Sequence, residues 1–246
     1  MCSNYRPVTR TDRLLAFFGI PMPGGDRPDV DAWPGAGVPI IRLKADSEAL
    51  ARHERLMVEG ATWRLVPEYV TTLAWARATY NARSEQIEEK RTFGRLWRNG
   101  QRCIMPAEWF YEPRYFGTVE KPGPSERWRI QQPGGYPMGI AGIYDRVTNR
   151  VTGEIVFTAA MLTCNADHHP VMQAFHKPGE EKRMPVILRV DDYMDWLTCT
   201  PAEAHRYCVP TEEPLEAFAA PLPPRVPLRP RKTAAKQDRP EEPGLF

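Results

Sequence analysis

The alternation of apolar and polar positions divides the chain near Gly100 into two stretches of different character. Before it, helical and strand periods alternate. Arg13-Leu14-Leu15-Ala16-Phe17-Phe18 reads as a short helix ended by Gly19. From Pro21 to Gly37, proline, glycine and aspartate break any period and predict a loop. Val38 to Leu43 reads as a strand. Asp46 or Ser47 can cap a helix that starts near Glu48, places Leu50 and Met57 on one face and ends at Gly60. The alternation around Trp63, Leu65 and Val66 favours a strand instead, so two periods compete here. Residues 88–99 predict a helix, with Phe93, Leu96 and Trp97 on one face and Gly100 just past its end.

After Gly100 the period is two. Cys103 to Met105, Trp109 to Tyr111, Trp128 to Ile130 and Met138 to Tyr144 are short β runs separated by proline and glycine. Ile155 to Thr163 is the longest apolar run and suits a central, buried strand; Val186 to Val190 predicts another. Short helices are expected at Asp192 to Leu197 and Ala202 to Cys208. No fixed-period repeat is visible. Many short strands with a few helices predict an α+β class. The expected architecture is a single domain on a curved, barrel-like, mostly antiparallel sheet with flanking helices. That domain is expected to span residues 1–210. From 211 to 246 proline, arginine and lysine dominate, which predicts an extended or disordered tail.

Composition narrows the class. At 246 residues and 42% hydrophobic, the chain can bury a sizeable core. A formal net charge of +2 neither announces nor excludes a nucleic-acid partner, because local patches matter more than the total. The five cysteines are odd in number and scattered, with no C-x-x-C pair. That pattern argues against a disulfide framework or a zinc site and favours a reducing, cytoplasmic setting. No stretch approaches the ~20 apolar residues of a membrane span. No metal, no cofactor and a monomer are expected.

The second residue carries unusual chemistry. Loss of Met1 would leave Cys2 with an α-amine and a thiol on adjacent carbons. Their reference pKa values, about 7.7–8.0 and about 8.5, keep both nucleophiles usable near neutrality. An amine attacks an aldehyde to form an imine, and the adjacent thiol can close on that carbon as a five-membered thiazolidine. Alternatively, Cys2 is an inert, buried cysteine. In Asn81-Ala82-Arg83-Ser84-Glu85, amide and guanidinium can hold an oxygen-rich ligand, or form a plain turn with a surface arginine. Pro106-Ala107-Glu108-Trp109-Phe110-Tyr111-Glu112-Pro113 sets carboxyls among aromatics, where a raised pKa makes a general acid. Trp109, Tyr111, Tyr115 and Phe116 can stack nucleobases or simply fill a core. Thr163-Cys164-Asn165-Ala166-Asp167 closes the long strand, and His176, with His168 and His169 upstream, can shuttle protons near neutral pH or merely be solvated.

The order of these motifs, Cys2, Asn81 to Glu85, Pro106 to Glu112, Leu162 to Asp167, then His176 with Arg183-Met184-Pro185, resembles the SRAP family (SOS response-associated peptidase), the abasic-site processing proteins. The resemblance runs from Cys2 to about Cys208. It implies binding of single-stranded DNA and covalent capture of the ring-opened abasic aldehyde by Cys2 after self-processing of Met1. It also implies an asparagine beside the crosslink at Asn81 and a phosphate-side arginine at Arg83. Glu112 would handle protons, His176 would assist ring opening and Thr163 would line the pocket. Arg183, Trp109 and Arg6 complete the expected DNA contacts. An imine at C1′ also eases β-elimination, so a lyase activity belongs among the expectations.

Three departures from the family pattern are visible. The start reads Cys2-Ser3-Asn4 rather than Cys-Gly-Arg, with Arg6 the candidate replacement; Pro113 stands where tryptophan is usual; and six residues, Lys177 to Lys182, separate His176 from Arg183 where the family has one. Three other readings remain open. One is an N-terminal-nucleophile amidohydrolase of the glutamine amidotransferase type, for which Asn4 to Arg13 lacks a Gly-rich oxyanion motif. Another is a non-catalytic single-strand binder with inert Cys2. The third is an adaptor that docks through Pro-Leu-Pro-Pro-Arg at 221–225.

Overall fold

A computed structural model describes residues 2–45, 50–66, 79–148 and 153–223. Strands β1 (Tyr5–Pro7), β2 (Gly37–Leu43), β3 (Leu56–Trp63) and β4 (Asn81–Arg83) precede the long β5 (Arg102–Tyr115). Beyond it come β6 (Ser125–Gln131), β7 (Met138–Thr148), β8 (Ile155–Asn165), β9 (Arg183–Pro185), β10 (Ile187–Leu188) and β11 (Glu216–Ala219). The helices are short: α1 (Thr11–Phe18), α2 (Gly94–Arg98), α3 (Tyr193–Thr198) and α4 (Pro201–Ala204).

Five strands close on themselves in the order β7, β8, β3, β2, β5 and back to β7. Only β3 and β8 run parallel within this ring, so it is a mixed barrel dominated by antiparallel pairs. Closure removes the free sheet edges that would otherwise invite pairing with other chains. The apolar runs fill its core with fully buried Ile40, Ile41, Ile104, Ile143 and Leu162. At one end Tyr193 of α3 lies against Gly139, where a Cβ would come within 2.6 Å of the tyrosine ring. Arg102 Nε donates to the Trp196 carbonyl at 2.8 Å, satisfying an orphan acceptor in the last turn of α3.

The length of β5 positions the site. Its first half pairs with β2 and β7 in the barrel. Its second half leaves the ring to pair with β1 (Tyr5 opposite Phe110) and with β6 (Phe110 opposite Ile130 through Tyr115 opposite Ser125). The chain's start and the Glu112 segment are thereby fixed side by side, with Tyr111 N donating to Asn4 O at 2.9 Å.

Several local expectations need correction. Residues 46–49, including the expected cap and start of the second helix, lie outside the described residues. A 3-10 turn at Arg52–Arg55 leads directly into β3, so Met57 and Gly60 belong to a strand. Pairing with β2 on one side and β8 on the other overrides the helical period. The helix expected over 88–99 shrinks to Gly94–Arg98, although Gly100 does adopt the left-handed φ of 66° expected past a helix end. The two runs at Cys103 and Trp109 are one strand, in which Pro106 stays in register opposite Gly139 and the irregularity against β1 falls at Glu108. Beyond residue 210, β11 adds to β6. The fold therefore continues past the expected boundary, while residues 224–246 lie outside the described part.

Candidate active site

Cys2, Asn81, Glu112 and His176 come together where β4, the second half of β5 and the loop before β9 meet. Asn81 sits on β4, whose parallel pairing with β8 sets Arg83 opposite Thr163. Its Nδ2 donates to the Cys2 carbonyl at 2.6 Å, holding the first residues against β4. The Asn81 Oδ1 is buried without a hydrogen-bond partner among the described residues. Cys2 is 1% exposed, and its Sγ lies 3.5 Å from the Asn4 carbonyl. Burial first, and then the charge of Glu112, push its thiol well above the ordinary value. Met1 lies outside the described residues.

Glu112 is the electrostatic anomaly. It is 1% exposed, and neither carboxyl oxygen has a hydrogen-bond partner among the described residues. Burial pushes its pKa up to about 8, so the carboxyl is held protonated at neutrality. His176 approaches it, Nδ1 to Oε2, at 3.4 Å. Burial lowers the histidine to about 4, so it is neutral. Its Nε2 lies 2.7 Å from the Arg183 carbonyl, which can only accept; Nε2 therefore carries the proton and Nδ1 offers a lone pair to Glu112. A neutral acid facing a neutral base is a proton-transfer pair rather than an ion pair.

The six residues between His176 and Arg183 loop out and return. Lys182 N donates to Asp167 at 2.7 Å and Ala166 N to the Lys182 carbonyl at 2.8 Å, which closes the loop. The other end is fixed by His176 N donating to the Pro113 carbonyl at 2.9 Å. Pro113, one of the departures from the family pattern, thus anchors the histidine through an acceptor that any residue would supply. Among the described residues His176 is the one non-glycine with a positive φ, 61°. Such strain costs about 1–3 kcal/mol and concentrates at functional sites.

The expected DNA-contacting residues divide into two groups. Arg83 is half-exposed, paired with Glu181 at 2.7 Å, and lies beside the cluster on β4. Thr163 is fully buried; its Oγ1 lies 3.4 Å from the Ala82 carbonyl and accepts from Arg183 Nη2 at 3.1 Å. Arg183 does not present a free guanidinium. It is buried, forks onto Glu85 at 3.0 and 2.9 Å, and reaches Glu181 at 2.6 Å and the Thr163 carbonyl at 2.7 Å. Arg6 is likewise held by Asp29 and Asp31, each at 2.8 Å, so it leaves no charge spare to replace the missing arginine near Cys2. Trp109 sits on the other face of β5, under the guanidinium of Arg6 and bonded through Nε1 to the Tyr111 hydroxyl at 2.6 Å.

Of the remaining candidates, Glu108 forks onto Arg13 at 2.7 and 2.5 Å and is structural. His169 Nδ1 accepts from Val171 N and Met172 N, both at 3.2 Å, and so caps a 3-10 turn. Among the described residues no group of three or more metal-ligating side chains converges. Sequence reasoning missed Arg127. From β6 it lies over the Tyr111 ring, 3.2 Å from its centroid, and bonds the side chain of Asn4 and, at 2.5 Å, Asp31. Only the unusual Asn4 hinted that some other cation would reach this corner.

Comparisons with known proteins bear on the fold and the family. A protein of Bordetella bronchiseptica solved by X-ray crystallography is 33% identical, with a TM-score of 0.75 over 90% of this chain and 100% of its own. A Bacteroides thetaiotaomicron protein at 22% identity and a TM-score of 0.64 shares the fold over 89% of this chain and 91% of its own. In sequence, the Bacillus subtilis abasic site processing protein YobE is 25% identical over 80% of this chain and 82% of its own. The abasic site processing protein YoaM of the same organism is 26% identical over 80% and 79%. The model of the family described as SOS response associated peptidase (SRAP) matches residues 1–222, and the chain belongs to that family.

Proposed function

We propose that this protein captures abasic sites in single-stranded DNA through Cys2, after self-processing of Met1. The observation that carries this reading is Glu112, a protonated carboxyl without a hydrogen-bond partner among the described residues, buried beside Cys2 and 3.4 Å from His176. The relatives named abasic site processing proteins supply the substrate.

Ring opening of the sugar hemiacetal exposes a C1′ aldehyde: the Nδ1 lone pair of His176 accepts the C1′ hydroxyl proton and returns it to the ring oxygen as the C1′–O4′ bond breaks. The α-amine of Cys2 adds to that carbon. Glu112 protonates the departing hydroxyl, and water leaves as the imine forms. The thiol then adds to C1′. As the C–S bond forms, the C=N electron pair of the protonated imine moves onto nitrogen and the thiol proton returns to Glu112, so one carboxyl serves both steps without net change. A high thiol pKa is compatible with this order, because the proton leaves only as the C–S bond forms. In this reading Asn81, bonded to the Cys2 carbonyl, turns amine and thiol towards the aldehyde, and Arg83 exchanges its half-exposed pairing with Glu181 for a flanking phosphate. β-Elimination of the 3′ phosphate is open to the same imine, which makes lyase activity a side branch.

The test is incubation with single-stranded DNA carrying one abasic site, followed by a denaturing gel and intact mass analysis. A shifted band lacking Met1, with the mass of an adduct minus one water and absent in Cys2→Ala, is the expected result. Removal of Met1 with no adduct would refute aldehyde capture.

A further inference from the structure

Tyr111 precedes Glu112 on β5 and therefore faces the opposite side of the strand. A cavity of about 460 Å³ touches both residues and reaches from Ser3 to the segment after β11. Its lining includes Asn4, Trp33, Tyr111, Arg127 and Leu222. The volume falls in the range of small-ligand pockets, about 300–1,000 Å³.

The cation of this cavity is already committed. In the plane of its guanidinium, Arg127 bonds Asn4, Asp31 and, at 3.3 Å, the Ala220 carbonyl. Its charge is matched by Asp31, so a phosphate would find no free guanidinium edge and no net attraction there. Beside the Ser3 and Ser125 hydroxyls, the remaining surface is flat and aromatic. The planar guanidinium stacks on Tyr111 at 3.2 Å, and Trp33 is 46% exposed at the rim. Flat π surfaces of this kind hold nucleobases, which stack on aromatic rings and arginine planes without need of charge.

We propose that this cavity seats the nucleobase adjacent to the abasic sugar, with Trp33 as its stacking platform. The proposal rests on the abasic-site reading above. A base next to an abasic site has lost a stacking neighbour, so an aromatic face within reach of the reacting sugar replaces what the strand lacks. Filling the cavity fixes the register of the strand over Cys2.

The test uses the full chain and an oligonucleotide with a tetrahydrofuran abasic analogue, which has no aldehyde and cannot react. 2-Aminopurine is placed 5′ of the analogue, 3′ of it, or farther along the strand. The expected result is fluorescence quenching at one adjacent position only. Trp33→Ala is expected to abolish that quenching and weaken binding about tenfold, whereas Trp33→Phe retains most of both. Equal signals at all positions, quenching that survives Trp33→Ala, or an absence of binding would overturn the proposal. Failure of the underlying reading is separable: site-specific quenching without crosslinking of an aldehyde-bearing strand leaves the base site standing and removes the covalent chemistry. Crosslinking that is unaffected by Trp33→Ala and by removal of the neighbouring base does the reverse.

Discussion

Two ionisable clusters meet at one imidazole, and they are built in opposite ways. On one side of His176, Arg183 is surrounded by Glu85, Glu181 and the Thr163 carbonyl. Burial alone would raise Glu85, yet its bonds to Arg183 carry it below its ordinary value. On the other side Glu112 is buried without such a partner among the described residues, and burial carries it up to about 8. Both carboxyls are glutamates near the same loop; the partner decides which one stays ionised and which keeps its proton. The first cluster is scaffold, tying β9 to β8 and to the turn after β4. The second is reactive because the fold leaves it unsatisfied.

The largest effect expected from breaking this contrast is on rate. Glu112→Gln keeps the shape but removes the transferable proton, and should slow crosslinking about 10²–10⁴-fold in single-turnover gels. Its folding stability should stay within about 1 kcal/mol of the parent, since an uncharged polar group replaces one. Arg183→Met should do the reverse. Removing one partner of a buried charge cluster costs about 3–5 kcal/mol, and partial hydration of Glu85 and Glu181 lowers this to about 2–3, read by urea unfolding.

The pH dependence of stability sharpens the comparison. Glu112 binds its proton more tightly folded than unfolded, so its contribution is complete below about pH 4.5 and is lost as pH rises towards about 8. His176, lowered to about 4, contributes in the other sense, with stability lost as pH falls from about 6.5 to about 4. The two oppose each other in the acid range. Between about pH 6.5 and 8 Glu112 acts alone, and unfolding free energy should decline there in the parent but stay flat in Glu112→Gln. The smallest effect is at the surface. Arg83→Ala loses a half-exposed ion pair, changing stability by less than about 1 kcal/mol. It should nevertheless lower the salt slope of single-strand binding by about 0.7.

The long apolar run of β8, the cap at Gly19 and the order of the motifs were legible in the sequence because each depends on neighbours along the chain. Glu112 was legible as a carboxyl among aromatics, though sequence could not separate it from Glu108, which differs only in having Arg13 within reach. Arg183 and Arg6 looked like DNA contacts because a sequence displays charge and hides its partners: Glu85 is 98 positions from Arg183, and Asp31 is 25 from Arg6. The His176 to Arg183 spacing looked disruptive for the same reason. The loop between them closes through Asp167 and brings His176 Nε2 to 2.7 Å from the Arg183 carbonyl. Met57 and Gly60 were misplaced because β3 takes its conformation from β2 and β8, whose contribution no local period encodes.

Protonation of Glu112 is the hinge of the proposed chemistry. Carbon-13 NMR of protein labelled at the glutamate side-chain carboxyls, titrated from pH 4 to 9, measures it. One resonance should titrate near pH 8 and vanish in Glu112→Gln, while the Glu85 resonance titrates below its ordinary range. If every glutamate carboxyl has ionised by pH 6, Glu112 is no acid at neutrality, and the contrast between the two clusters fails.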